Sequence, residues 1–280
     1  MTALTPPSLH MSPREAAHVC AALPDLRAQV WQPLAGGRVN RVWRVGALVI
    51  KLHHPAAASP LFPNDAGAEY TALRLLEGTG LAPSPVAGGD NWLAYRFVEG
   101  QPWRQGAASI GRLLAQLHGQ PTTALPFRRP PTGNTAILAD AMTWAVRQTL
   151  PPLPQVPASA PVRLSFLHGD PVAGNIIGND DKALLIDWQC PALGDPVDDI
   201  ALFLSPGMQL LYRGSRLSAD EIAAFRATYG MADVLARYDL LAPLLHWRIA
   251  AHCALRASQG HDGYAEALDH ECRAVHAAQT

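Results

Sequence analysis

Leu164-Ser165-Phe166-Leu167-His168-Gly169-Asp170-Pro171-Val172-Ala173-Gly174-Asn175-Ile176-Ile177 is the stretch on which the reading of this chain turns. A short apolar strand runs into a loop that carries His168, Asp170 and Asn175, and the chain leaves it in a second apolar strand. Further on, Leu184-Leu185-Ile186-Asp187-Trp188 repeats the arrangement, an apolar strand with a carboxylate at its end, and Asp180-Asp181 marks a turn between the two. The strands form a small hairpin that is expected to bring Asp170, Asn175 and Asp187 together. A hard divalent cation takes oxygen ligands, and Mg²⁺ takes one or two carboxylates plus phosphate oxygens and water. Asn175 and Asp187 suit that task, which leaves Asp170 as acceptor for the proton of a substrate hydroxyl. His168 reads as structural, an imidazole holding the loop by hydrogen bonding.

Working back towards the N-terminus, Val30 to Leu34, Val39 to Val45 and Leu48 to Leu52 are rich in strand formers, and glycines separate them. They read as an antiparallel set. Gly36-Gly37-Arg38-Val39-Asn40 fits a phosphate-covering loop, because glycine lets backbone amides approach an anion; two adjacent glycines alone equally make a plain hairpin turn. Lys51 stands inside the apolar strand Leu48-Val49-Ile50-Lys51-Leu52. It is one of only two lysines among 22 basic residues, the other being Lys182. It is either a solvent-facing edge residue or an ammonium that binds phosphate. Asp65 to Leu76 has helical spacing at Tyr70, Leu73 and Leu76, and its Glu69 either pairs with Lys51 or is an ordinary solvated carboxylate. Ser12-Pro13-Arg14-Glu15 has the form of a capping box opening a helix. Strand-like stretches at Ser84 to Ala87 and Trp92 to Val98 end at Glu99-Gly100-Gln101-Pro102, where a lobe boundary falls.

Composition narrows the class. The 280 residues are 49% apolar and carry a net charge of −1, which argues against a protein that coats nucleic acid. No apolar run approaches the roughly 18 residues of a membrane span, and no secretory signal is visible. The four cysteines, at 20, 190, 253 and 272, form no Cys-x-x-Cys pair and read as reduced thiols. A cytoplasmic location is the expectation, with neither nucleic acid nor membrane as partner.

Taken together these residues resemble the aminoglycoside phosphotransferase and choline kinase family of protein-kinase-like small-molecule kinases. The carriers of the resemblance are the His-x-Asp-x-x-x-x-Asn pattern of His168 to Asn175, the Ile186-Asp187-Trp188 segment, and Gly194-Asp195-Pro196-Val197-Asp198-Asp199-Ile200-Ala201. The five-residue step from Asp170 to Asn175 and the twelve-residue step to Asp187 follow the kinase order of catalytic Asp, metal-binding Asn and metal-binding Asp. Gly36-Gly37, Asn40 and Lys51 extend the likeness to about residues 30–255.

The resemblance implies an α+β, bilobal kinase-like fold, with ATP between the lobes. The N-lobe (1–98) is a small mixed β-sheet; the C-lobe (99–280) is larger and mostly helical and holds the catalytic loop, metal site and acceptor pocket. It implies an ATP- and Mg²⁺-dependent transfer of the γ-phosphoryl group to a hydroxyl of a small molecule. Asp170 is then catalytic, and Asn175 and Asp187 hold the metal. Gly36, Gly37, Asn40 and Lys51 face the nucleotide phosphates, Glu69 completes the nucleotide site by bracing Lys51, and the backbone near Phe97, Val98 and Glu99 meets the adenine. The alternative is a kinase-like module that binds nucleotide without turnover. Two departures stand out: Pro171 follows the catalytic Asp, and Gln189 stands where choline- and thiamine-type relatives often carry Glu, which weakens the case for a cationic amine as acceptor.

The C-terminal third reads as helical, with a second capping box at Ser218 to Glu221 and a long helix over Val234 to Ala257. Asn134 is placed as the cap of a helix running to Leu150, and Asp195 as the cap of one starting at Pro196. Trp247, His246, Arg248, His252 and Tyr264 are candidates for an acceptor pocket, against core packing for Trp247 and surface positions for the others. Asp199 stands either on the catalytic loop or on a solvated helix face. Residues 205–214 have no reading from the sequence, and neither the acceptor nor the oligomeric state is legible.

Overall fold

The structure, a computed structural model, describes residues 11–34, 40–160, 162–178 and 182–279. Gly36 and Gly37 of the glycine turn, and Asp180-Asp181, lie outside the described residues. The chain divides into two compact units, Met1–Gly100 with Leu184–Cys190, and Gln101–Ala183 with Pro191–Thr280. The α+β class read from the sequence is present: the first unit holds an antiparallel sheet and the second is mostly helical.

In the first unit, the capping box forms as its sequence dictates. Ser12 Oγ accepts from Glu15 N, and Glu15 Oε2 accepts from Ser12 N, which starts α1 (Pro13–Ala22). The sheet comprises β1 (Trp31–Pro33), β2 (Arg41–Val45), β3 (Leu48–Leu52), β4 (Pro85–Gly88) and β5 (Trp92–Arg96), in the order β1-β2-β3-β5-β4 with antiparallel neighbours. Strand alternation separates two faces. Trp43, Val45, Ile50, Leu52, Trp92 and Ala94 point to one, where they pack with Val19, Cys20 and Leu26 into a core. Val42, Val49, Lys51, Leu93 and Tyr95 therefore fall on the other, in register across β2, β3 and β5. α2 (Ala66–Leu75) is capped by Asp65, whose side chain accepts from Ala68 N, and it buries Glu69, Ala72 and Leu73.

The segment Leu184–Cys190 is hydrogen-bonded to the rest of this unit along its length. Leu185 N donates to Leu81 O, Trp188 N to Glu69 Oε1, Asp65 N to Gln189 O, and the Cys190 thiol to Pro63 O.

The second unit contains α3 (Ala107–His118), α4 (Asn134–Trp144), β6 (Ser165–Leu167), β7 (Ile176–Gly178), β8 (Ala183–Leu185, whose last two residues belong to the first unit) and β9 (Ala192–Gly194). It continues with α5 (Val197–Leu204), α6 (Pro206–Arg213), α7 (Ala219–Tyr229), α8 (Ala232–Ser258) and α9 (Tyr264–Ala277). β6 pairs antiparallel with β9. α3 and α7 cross so closely that a Cβ on Gly111 would overlap the backbone of Phe225 and Tyr229, which is why glycine stands there. Phe203 and Phe225 stack at 4.9 Å beside Trp103.

Several boundaries differ from expectation. The helix from Asn134 stops at Trp144, and Asn134 does not cap it: its Nδ2 donates to Val156 O at 3.0 Å, and Gly133 precedes the first turn. The chain is extended again at Ala145 and makes only a short 3-10 turn before Pro151-Pro152, since residues ahead of proline avoid the helical region. The α5 cap is shared rather than simple. Pro196 occupies the capping position, while Asp195 Oδ1 accepts from Val197 N at 3.3 Å and its Oδ2 from Arg237 Nε at 2.7 Å. Asp187 lies beyond the end of β8 rather than in a strand. Among the described residues, no helix is long and apolar enough to cross a membrane.

Candidate active site

Lys51 sits in the middle strand of the sheet on the face that α2 covers, and only 2% of it is exposed. A buried ammonium requires compensation. Glu69, in the first turn of α2 and 1% exposed, supplies it at 2.6 Å, and Asp187 Oδ1 makes a second ion pair. Burial works against the ammonium, but Asp187 and Glu69 outweigh it and hold the Lys51 pKa above its ordinary value. Burial likewise works against the Glu69 carboxylate, yet Lys51 and His53 keep it below the ordinary carboxylate range. Both groups are charged at neutral pH. Glu69 Oε2 also takes a bond from His53 Nε2 at 2.7 Å, and Oε1 takes Trp188 N at 3.1 Å. Neighbouring Tyr95 is pushed up by burial.

Asp187 has φ +63°, a left-handed conformation rare for a residue with a side chain. Trp188 fixes it there: its indole is fully buried, its Nε1 donates to Leu185 O at 2.9 Å, and its backbone N–H is held by Glu69. The strained backbone aims the Asp187 carboxylate at Lys51 and leaves 31% of the side chain exposed.

Asn40 lies at the exit of the glycine stretch, and a closed network uses its amide. Its Nδ2 donates to Gln189 Oε1 at 2.6 Å and to Asn64 Oδ1 at 3.0 Å, while its Oδ1 accepts from Asn64 Nδ2 and His54 N. Gln189 is only 4% exposed. Its neutral amide is thus tied to packing within the first unit. Phe97 follows β5, donates its N–H to Ala47 O, and carries the Arg44 guanidinium 3.8 Å above its ring; Arg44 also pairs with Glu99 at 2.9 Å.

In the second unit, the loop after β6 is organised from within and from α5. His168 is fully buried, and its Nδ1 accepts from Asp170 N at 3.2 Å. Gly169 takes φ +82°, which its lack of a side chain permits. Asp199, fully buried on α5, accepts from His168 N at 2.8 Å and Gly169 N at 2.9 Å and meets His118 Nε2 at 3.2 Å. Of the two readings open for Asp199, contact with the loop is the one realised. Asn175 ends a 3-10 turn, and its Nδ2 donates both to Asp170 O at 2.9 Å and to Asp170 Oδ2 at 3.1 Å. Both bonds use the nitrogen, so the amide oxygen remains the group suited to a cation. Residues 205–214, opaque in the sequence, form α6, whose Tyr212 ring packs on Gly174 of this loop.

Lys51, Glu69 and Asp187 are therefore brought together in the first unit, and Asp170 and Asn175 in the second. Gly36 and Gly37 lie outside the described residues. Trp247, His246, Arg248, His252 and Tyr264 are all buried, against the surface positions open to four of them. Trp247 Nε1 donates to Pro151 O, His246 Nδ1 meets Glu271 at 2.7 Å, and Arg248 pairs with Asp198 at 2.6 Å. Burial pulls the His252 pKa down to about 3, so its ring is neutral. Sequence reasoning missed His53, His118, Asn64 and Tyr212. Only His53 had a local signal: it stands two residues after Lys51 and so shares its strand face.

Among the described residues, no group of three or more His, Cys, Asp or Glu side chains is arranged to hold a metal. Taken each by itself, Asn175 offers an amide oxygen and Asp187 a partly exposed carboxylate, the hard oxygen donors that an ion of the Mg²⁺ kind takes.

Solved structures similar to this chain span nearly all of it. A choline/ethanolamine kinase family protein from Mesorhizobium loti aligns with TM-score 0.69 and 19% identity over 96% of this chain and 95% of its own. The choline kinase LicA from Streptococcus pneumoniae gives 0.64 and 15% over 94% and 99%. An ADP-bound aminoglycoside phosphotransferase, APH(2'')-Ib, gives 0.60 and 13% over 95% and 99%. At such identities the likeness is one of fold, and that fold is kinase-like, as expected. No curated protein sequence matches the chain. The model of the phosphotransferase enzyme family does match, over residues 30–244, a span that takes in the buried Lys51 pair and the Asp170 loop alike; the chain belongs to that family.

Proposed function

We propose that this phosphotransferase moves the γ-phosphoryl group of ATP to a hydroxyl of a small molecule, with Mg²⁺ as the metal. The observation that carries the reading is the Asp170–Asn175 pair: a buried carboxylate oriented by a neighbouring amide, on a loop whose two preceding N–H groups are locked by Asp199. Asp170 accepts the proton of the acceptor hydroxyl as the oxygen attacks, and the bond from Asn175 Nδ2 keeps that carboxylate in one rotamer. Asn175, through its amide oxygen, and Asp187 are the Mg²⁺ ligands. Magnesium, when bound, neutralises charge on the phosphate oxygens. Lys51 contacts the nucleotide phosphates with Glu69 behind it, and the backbone of Phe97 to Glu99 lies along the adenine. Gly36, Gly37 and Asn40 complete the phosphate-side loop. Positioning and charge compensation are what such a transfer needs from its protein. The acceptor class, by analogy with the kinases of similar fold, comprises amino alcohols such as choline, ethanolamine and thiamine, sugars, and aminoglycosides.

The test is ADP release from Mg²⁺·ATP against a panel of these compounds, with the phosphorylated product identified by mass. Acceptor-dependent ADP formation that disappears in Asp170→Asn is the expected result. Tight nucleotide binding with no turnover across the panel favours a kinase-like binding module instead.

A further inference from the structure

The polar group nearest to the Lys51–Glu69 pair that the proposed reaction does not use is His53. It directly follows β3, and its backbone N–H donates to Asn91 O at 2.8 Å, which continues the ladder with β5. Strand alternation puts its ring on the same face as Lys51. Both side chains end on one oxygen: Lys51 Nζ lies 2.6 Å and His53 Nε2 2.7 Å from Glu69 Oε2.

The direction of the histidine bond follows from chemistry. Glu69 is ionised, and a carboxylate only accepts hydrogen bonds, so His53 Nε2 carries the hydrogen. The side chain is 2% exposed, and its Nδ1 has no hydrogen-bond partner among the described residues. The imidazole thus makes a single polar tie, to Glu69. The groups around that tie are Glu69 from α2, Lys51 from the same strand, and, beyond Lys51, Tyr95 of β5 and Asp187.

We propose that His53 is a positioning residue for Lys51: its Nε2–H holds the buried Glu69 carboxylate in place, so that Lys51 stays aimed while its ammonium turns to a nucleotide phosphate. The role rests on the nucleotide reading of Lys51 above. A phosphate that draws on Lys51 weakens the Lys51–Glu69 bond, and a carboxylate 1% exposed has no water to replace it. Trp188 N secures Oε1, and His53 secures Oε2. Without His53, Oε2 depends on Lys51 alone, and each phosphate contact made by Lys51 competes with a buried charge.

Two polar substitutions separate this role from packing. In His53→Gln the amide nitrogen lies about where Nε2 does; in His53→Asn it lies about where Nδ1 does. Binding of Mg²⁺ with a non-hydrolysable ATP analogue to the whole chain, measured by calorimetry, reads the effect. His53→Asn is expected to weaken binding about tenfold, a typical worth for one hydrogen bond to a charged group, and His53→Gln to remain within about threefold of the wild type. In a Glu69→Gln background, His53→Asn is expected to have little further effect, and this comparison decides the matter if His53→Asn alone folds poorly. Equal binding by the Asn and Gln variants, or additive effects with Glu69→Gln, overturns the role. Lys51→Met serves as the control: unchanged analogue binding there refutes the nucleotide reading itself, whereas a loss there beside a silent His53→Asn refutes only the role of His53.

Discussion

Asp170 and Asp199 are two buried carboxylates on neighbouring elements, and their surroundings give them different tasks. Asp170 keeps a carboxylate oxygen beside the Asn175 amide, and in the proposed reaction it accepts the proton of the acceptor hydroxyl. Its replacement by Asn is expected to lower kcat by ~10²–10⁴, the usual contribution of a general base, with nucleotide affinity little changed; steady-state kinetics with the acceptor found in the panel measures this. Asp199 instead accepts two backbone N–H groups and faces His118. Asp199→Asn turns one acceptor into a donor against those amides. The expected cost is about 1–3 kcal/mol of stability, read from the urea midpoint, together with reduced turnover as the loop loosens. The types and spacing of Asp170, Asn175 and Asp187 were legible in the sequence because they sit close together in the chain. The task of Asp199 was not, because a carboxylate in a first helical turn looks the same whether it meets solvent or a loop some thirty residues earlier.

Elements were legible where local chemistry decides them. Both capping boxes formed, and the helices they open start where Ser12 and Ser218 place them. Glu15 does more than cap. Its carboxylate pairs with Arg41 of β2 and is lowered from 4.5 to about 2, chiefly by the hydrogen bonds from that guanidinium, against a weaker push upwards from burial. Because the folded-state value is depressed, the pair contributes stability above about pH 4.5 and loses it as pH falls through about 2. Partial exposure screens the pair, so Glu15→Gln is expected to cost about 1 kcal/mol or less near neutrality and progressively less as pH falls towards about 2, as followed by denaturation across that range. Gly111 gives the opposite lesson. Helix propensity alone predicts that Gly111→Ala stabilises α3 by about 1 kcal/mol. The closeness of α7 reverses the sign, and thermal unfolding is expected to show a loss of about 1–3 kcal/mol from overpacking. The Asn134 helix was misread at its start for a related reason: a partner at Val156, distant in the chain, claims the side chain that the local pattern assigns to a cap.

At the scale of the whole molecule, nucleotide binding and folding are linked, since a ligand that binds only the folded chain stabilises it by about 2.7 kcal/mol at a concentration of 100 Kd. Mg²⁺·ATP is therefore expected to raise the unfolding temperature by several degrees in calorimetry, and chelation of the metal to remove most of that rise; no shift at saturating nucleotide contradicts the proposed reaction. The sequence by itself determined the α+β class, the strands of the first unit, the helices opened by capping boxes, and the residue types of the site, because hydrophobic period, caps and short motifs act over a few residues. Only the tertiary structure decided which partners the buried charges meet. Lys51 finds Glu69 18 residues away and Asp187 136 residues away, and Asn40 finds Gln189 across 149. A buried charge or amide is stable only where its complement is brought to it, and no local pattern in the chain records which distant segment will do so.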